Sequence, residues 1–364
     1  MSFFKRLSII FYLGKFSFAG YSQTLNENQF KVFLVGDAGE KDTTGQILLD
    51  LKTKLEANPK SAIIFLGDNC YKKTFFGLIK LELKGFDGSK ITRKRIIAQL
   101  NILRNYKGSA YFVPGNHDWW NSMSIKKGKK NLRKEELFIE DSLKKYTSVL
   151  NHNDETFLPA NGNPGPVSKE LHNGELALIF LDTYRILLEE TKKGTKHILL
   201  LDEFYKQLNR QISEAAAKHQ KIIVAAHHPV YSKGNHSHPY KSGANLFKRA
   251  AISNLNSIPY KKMAYKIDSL LKTGKETDIF YVAGHEHSLE YFLKDKIHYI
   301  VSGAGSKVDK IKAAAIQNNN EYLIWNEEGF FEIDFADNKP TVIIYHRKGN
   351  ESVLQDRCVN GCKN

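Results

Sequence analysis

A chain of 364 residues, 41% hydrophobic and 26% charged, is long enough for one large domain or two ordinary ones with a sizeable core, and no repeat or low-complexity segment interrupts it. The formal net charge of +15 favours encounters with anions, yet no nucleic-acid-binding motif accompanies the basic residues, which argues against nucleic acid as a partner. The three cysteines, at 70, 358 and 362, offer no soft cluster to compete for a metal, and beyond the N-terminal run no segment is apolar enough for a membrane span.

The chain opens with Lys5 and Arg6 ahead of the apolar run Leu7–Leu13, and small residues at Ser17, Ala19, Gly20 and Ser22 offer cleavage sites. Residues 1–22 therefore read as a signal peptide that directs export to a secreted or periplasmic location; a buried first helix or a short membrane anchor is the alternative. Lys15 interrupts the run.

From there, apolar runs alternate with helix-like patterns. A strand near 31–35 runs into Gly36-Asp37-Ala38-Gly39, and a helix near 43–58 leads to a strand near 62–66 that runs into Gly67-Asp68-Asn69-Cys70-Tyr71. A helix near 91–106 precedes a strand near 110–113, which meets Gly115-Asn116-His117-Asp118. Strands near 175–181 and 221–226 flank a helix near 199–219, and the second of them ends at His227. A helix near 260–273 and a strand near 278–283 lead to Gly284-His285-Glu286-His287, with a further strand near 298–302. The segment FFEIDF, a DNKP turn and TVIIYH form a hairpin that closes one sheet. The stretches near 72–92, 119–165 and 184–198 are expected to be loops over or beside the strand ends. The densest basic run, Lys126–Lys134, is either a solvated helix start or loop, or a contact for polyphosphate, nucleic acid or an acidic cell surface.

The five polar blocks stand where strands end, which is where α/β sheets place their chemistry. One Asp or Asn in such a position is ordinarily a turn or helix cap, and a lone His a hydrogen-bonded core residue. Together they supply hard carboxylate and amide oxygens and imidazole nitrogens, a donor set suited to two adjacent first-row cations. Gly36, Gly67, Gly115 and Gly284 each immediately precede a candidate ligand, as expected where the backbone turns sharply or approaches a metal closely.

With these blocks the chain resembles the calcineurin-like metallophosphoesterases and, among them, the small or tartrate-resistant purple acid phosphatases. Its first block lacks the Asp-x-His found in many members, and the GDxxY block ending in Tyr71 is the mark of the purple enzymes, whose tyrosinate binds ferric iron. A phenol with a free pKa of about 10 yields its proton only to a strongly polarising cation, which favours a trivalent metal. Phe180-Leu181-Asp182-Thr183, the run His227–Ser232 with His236 beyond it, His287–Tyr291 and Val301–Gly305 extend the likeness over roughly residues 30 to 310. His228, Trp119-Trp120 and the length of 119–165 depart from it.

The resemblance implies an α/β fold of two packed mixed β-sheets flanked by helices, the four-layer metallophosphoesterase sandwich, with the catalytic domain over residues 23–350 and a tail over 351–364. It implies a ferric site of Asp37, Tyr71 and His287 and a second, divalent cation (Fe2+, Zn2+ or Mn2+) held by Asn116, His227 and His285, with Asp68 bridging. A carboxylate can span cations about 3.5–4 Å apart, whereas one imidazole nitrogen cannot. His117 and His236 would face the substrate and protonate the leaving alcohol; His238 competes with His236 for that role. Asp118 is expected to orient an imidazole. The segment Thr191–His197 stands where the family carries an exposed loop that restrains activity.

The implied activity is that of a secreted acid phosphatase acting on phosphorylated small molecules or phosphoproteins through a metal-bound hydroxide. Diester, nucleotide or phosphoprotein cleavage on the same metals is the near alternative, and a secreted basic binding protein that has kept the fold without catalysis the distant one. Cys358 and Cys362 either close a small disulfide loop or remain two free thiols, with Cys70 left over and facing the core.

Overall fold

In the computed structural model, which describes residues 30–76, 79–151, 154–237, 252–309, 322–336, 340–347 and 357–359, alternate side chains of the central strands enter two different apolar environments. Strand β1 (Lys31–Val35) turns Val32 and Leu34 towards a second sheet, and Phe33 and Val35 towards helices. Strands buried on both faces are apolar, and β2 (Ala62–Phe65), β7 (Leu176–Phe180) and β9 (Ile279–Ala283) read that way throughout, as do β1 and β8 (Lys221–Ala225) after their first lysine.

The first sheet pairs β1 in parallel with β2, and β2 with β5 (Ser109–Phe112). On the other side of β1 it adds β13 (Glu328–Asp334), β14 (Thr341–Arg347) and β15 (Arg357–Val359), all antiparallel. The second runs in the order β12 (Tyr322–Trp325), β10 (Leu289–Lys294), β11 (Ile297–Ser302), β9, β8, β7, β6 (Val167–Leu171), with β11, β9, β8 and β7 parallel. Between the sheets Val32, Leu34 and Ile64 meet Phe180, Ile223, Phe280 and Val282, all fully buried. Each such side chain contributes roughly 1.5–3 kcal/mol by leaving water.

Helices form the outer layers. Helix α1 (Gln46–Ala57) buries Ile47, Leu48, Leu51 and Leu55, a 3.6-residue stripe, in the cluster that holds Phe33 and Phe65. Helix α2 (Lys90–Leu100) continues as a single 3-10 turn, Asn101–Leu103, and packs on α3 (Ile125–Tyr146). Across the molecule α4 (Thr183–Glu190), α5 (Thr195–Ala217) and α6 (Ile258–Leu271) pack on one another, with α5 against β8. This is the four-layer sandwich. Among the described residues no helix is long and apolar enough to cross a membrane.

Three segments expected to be loops are not. The stretch after Tyr71 forms a hairpin of β3 (Lys72–Phe76) and β4 (Ile79–Lys84). Residues 119–165 hold the 22-residue α3, whose basic first turns hide a buried stripe of Leu132, Glu135, Glu136, Ile139 and Leu143. The run Lys126–Lys134 is thus a helix start, with Lys126, Lys127, Lys130 and Lys134 exposed. Residues 184–198 contain nearly all of α4, in which every residue but Glu190 is buried, so no amphipathic period marks it. The expected restraining loop reduces to a short connection, and His197 is already in α5, paired to Glu189. Residues 1–22, His238, Cys362 and any pairing of Cys358 lie outside the described residues or side chains.

Candidate metal centre

The parallel strands of both sheets end at one seam. There the Gly36 N–H donates to the Ser302 carbonyl at 2.6 Å and the Asp37 N–H to the Gly67 carbonyl at 3.0 Å, so the loops after β1, β2 and β11 are stitched together. The turns are tight enough that Asp37 (φ 54°), Asp68 (φ 51°) and His285 (φ 72°) take the left-handed region. That conformation costs a non-glycine residue about 1 kcal/mol or more, and such costs collect at functional sites. Of the glycines before the blocks, Gly67 has a positive φ (85°), while Gly115 serves close approach: a Cβ there would lie 2.2 Å from Asp68 Oδ1.

Two clusters meet in the seam. In the first, the Tyr71 hydroxyl donates to Asp37 Oδ1 at 2.6 Å and lies 3.3 Å from His287 Nε2, which is 3.6 Å from Asp37 Oδ1. In the second, Asn116 Oδ1 lies 3.1 Å from His227 Nε2 and 3.1 Å from His285 Nδ1. Asp68 stands between them: His227 Nε2 is 3.4 Å from its Oδ1, and Asp37, Asp68 and His227 each bring a ligand atom within 4.8 Å of the others. The seven proposed ligands are thereby brought together, all buried.

Partners behind each ring fix which nitrogen faces the seam. The His227 Nδ1–H donates to the Leu66 carbonyl at 2.8 Å, the His285 Nε2–H to the Ser253 carbonyl at 2.8 Å, and the His287 Nδ1–H to Asp309 Oδ2 at 2.8 Å. Asn116 donates its own amide to Asn121 Oδ1 at 2.9 Å, so its carbonyl oxygen is the atom turned inward. Burial and then the neighbouring His236, His228 and His227 hold His285 neutral, well below the ordinary imidazole range. Its Nδ1 lone pair therefore faces the Asn116 carbonyl, two acceptors in contact, an arrangement that a cation between them resolves.

The carboxylates show the same demand for positive charge. Burial raises Asp37 to about 6. Asp68 is raised by burial too, but His227 and His117 more than offset this and hold it far below its usual range. Burial lowers His227, yet Asp68 carries it up to about 9. Desolvated carboxylates in such a group are costly unless a counter-charge lies among them, so this donor set fits two cations.

Around the clusters, His117 is half-buried with Nε2 3.9 Å from Asp68 Oδ2, and its backbone N–H donates to Asp68 Oδ1 at 2.9 Å. The His236 ring lies 4.5 Å from that of His285 and 5.9 Å from that of His287. His228 engages Thr183 Oγ1 at 2.9 Å through Nδ1 and stacks with Tyr184, while its ring lies 4.5 Å from that of His285 and it brings a ligand atom within 4.8 Å of those of His227 and His285. Among the described residues Asp118 makes no hydrogen bond to an imidazole: it accepts from the Gly115 N–H at 2.7 Å, Asn69 Nδ2 at 3.1 Å and the Cys70 N–H at 3.3 Å. Three residues beyond Gly115, it closes its own turn and ties the third block to the second. Sequence reasoning missed Asp309, Asn121 and the Ser253 carbonyl; none lies in a recognisable block, and one is a backbone atom.

The family model for calcineurin-like phosphoesterases matches residues 30–289. No curated protein was found to match the chain by sequence. Among solved structures, GAP50, described as the anchor in the inner membrane complex of Plasmodium, is 20% identical with a TM-score of 0.55, the match covering 92% of this chain and 90% of that one. The structure of PhoD is 10% identical with a TM-score of 0.52, covering 90% and 73% respectively. A dimetal phosphatase from Danio rerio is 12% identical, covering 91% and 98%, with a TM-score of 0.46. At these identities the first two show the shared fold.

Proposed function

As this chain belongs to the calcineurin-like phosphoesterase family, we propose that it is a secreted acid phosphatase of the purple type, hydrolysing phosphate monoesters at a ferric–divalent centre. The observation that supports the finer reading is the buried trio of Asp37, Tyr71 and His287, in which a phenol contacts a carboxylate and an imidazole. Asp37, Tyr71 and His287 would hold the ferric ion, and Asn116, His227 and His285 the divalent ion (Fe2+, Zn2+ or Mn2+), with Asp68 shared. Bound cations would neutralise the phosphoryl oxygens and acidify a water molecule, supplying the nucleophile without a protein base.

The chain's own groups do the rest. The hydrogen bonds behind His227, His285 and His287 hold the three rings in place, so little reorganisation opposes charge development. His117, half-buried beside Asp68, and His236, whose ring lies 4.5 Å from that of His285, would share the protonation of the leaving alcohol. Export rests on the Lys5-Arg6 and Leu7–Leu13 pattern. Metal analysis together with turnover of a simple monoester, a diester and a nucleotide tests the proposal: a dominant rate on the diester or nucleotide moves the chain to another activity of the same family.

A further inference from the structure

Two buried carboxylates beside the last histidines hold neither cation in this scheme. Glu286 lies between His285 and His287, and its Oε2 accepts two hydrogen bonds from one residue, the His236 backbone N–H at 3.0 Å and the His236 Nδ1–H at 3.2 Å. Glu290 accepts from the Lys233 N–H at 2.8 Å and from the hydroxyls of Ser232 at 3.1 Å and Ser288 at 2.7 Å. The segment 232–237 is thus fastened at two points to the strand entry that carries His285 and His287. Gly234 permits the fit, since a Cβ there would lie 2.2 Å from Glu286 Oε2. With Nδ1 engaged, Nε2 is the His236 nitrogen left without a hydrogen bond among the described residues.

We propose that Glu286 is the positioning residue for His236, fixing its backbone and its ring together so that Nε2 meets the leaving-group oxygen of a phosphate ester in the seam. This rests on the phosphoesterase reading. In the step concerned, the water oxygen forms a bond to phosphorus, the ester P–O bond breaks with its electron pair on the alcohol oxygen, and that oxygen takes the proton from His236 Nε2. The proton released by the water restores the imidazole. One hydrogen bond to the ring alone would allow the segment to shift with it; the shared oxygen ties ring and backbone to one point, and orientation of this kind is a large part of acid catalysis.

Glu286→Ala and Glu286→Gln test this in the metal-loaded full chain, because the glutamine carbonyl can still accept both bonds. Glu286→Ala should lower kcat on an alkyl phosphate by about 10–100-fold with KM little changed, and leave p-nitrophenyl phosphate nearly unaffected. Glu286→Gln should recover most of the loss, and the double variant with His236→Ala should be no slower than His236→Ala alone. In the zinc-loaded protein labelled with nitrogen-15 histidine, a protected His236 Nδ1–H resonance should appear in wild type and Glu286→Gln and vanish in Glu286→Ala. Equal losses on both esters, losses that multiply in the double variant, or absence of that resonance from the wild type would overturn the proposal. A metal-loaded wild type with the resonance intact and no turnover of any ester overturns the functional reading instead.

Discussion

Tyr71 donates its hydroxyl proton to Asp37 at 2.6 Å, and both side chains are wholly buried. Burial first, then the charges of Asp37 and Asp68, push the phenol well above its ordinary range. Only a strongly polarising cation displaces that proton, and a ferric phenolate absorbs visible light. The iron-loaded protein should be pink or purple, and Tyr71→Phe should lose the colour while keeping its circular dichroism spectrum. The variant strands one Asp37 oxygen, at about 1–3 kcal/mol. A colourless wild type fully loaded with ferric iron returns the chain to the broader family.

Asp68 should matter more for metal content than any other ligand, because it alone stands between the two clusters. Asp68→Ala is expected to lose or weaken both metals by elemental analysis, and Gly115→Ala to mimic it, since the added carbon would meet Asp68 Oδ1 at 2.2 Å. Two full equivalents retained in Asp68→Ala would sink the bridging role.

His117→Ala should leave both metals bound and slow turnover about 10²–10⁴-fold, with a weaker effect from His236→Ala. The loss should shrink for esters with good leaving groups, which need less protonation. An emptied metal position in His117→Ala would show a ligand where a proton donor is proposed.

His298 gives a pH dependence far from the ligands. Its ring stacks on Phe280 at 4.5 Å and its Nδ1 lies 3.0 Å from the Tyr291 hydroxyl; burial lowers it from 6.5 to about 4. The unfolded chain therefore binds a proton between pH 6.5 and 4 that the native state refuses. Stability from this group is complete above pH 6.5 and falls as pH drops, by about 2–3 kcal/mol at pH 4.5. His298→Phe should remove that loss, read as a change in the wild-type-to-variant difference in urea midpoint between pH 7 and 4.5. An unchanged difference means that the native ring is charged.

The strand ends were legible because β-branched runs such as KVFLV and AIIFL stop one or two residues before Asp37 and Asp68, so hydrophobic period and chemistry coincide. Helix α4 was not legible: Tyr184, Ile186, Leu187 and Leu188 are buried on every side and leave no polar face to set a period. Nor was the support behind the histidines. Asp309 reaches His287 from a stretch without a motif, and the carbonyls of Leu66 and Ser253 are the same in any sequence. Side-chain identity announces donors to a metal; it says little about what holds those donors still.

The seam has one consequence for the whole molecule. Asp37, Asp68, Tyr71 and Asn116 follow strands of the first sheet, and His227, His285 and His287 follow strands of the second. Cations held across it would join the sheets with no covalent bond, so occupancy and folding become linked equilibria. A site filled at a hundred times its dissociation constant adds about 2.7 kcal/mol to unfolding. A chelator would then act as a denaturant, lowering the melting temperature of the two sheets as one unit.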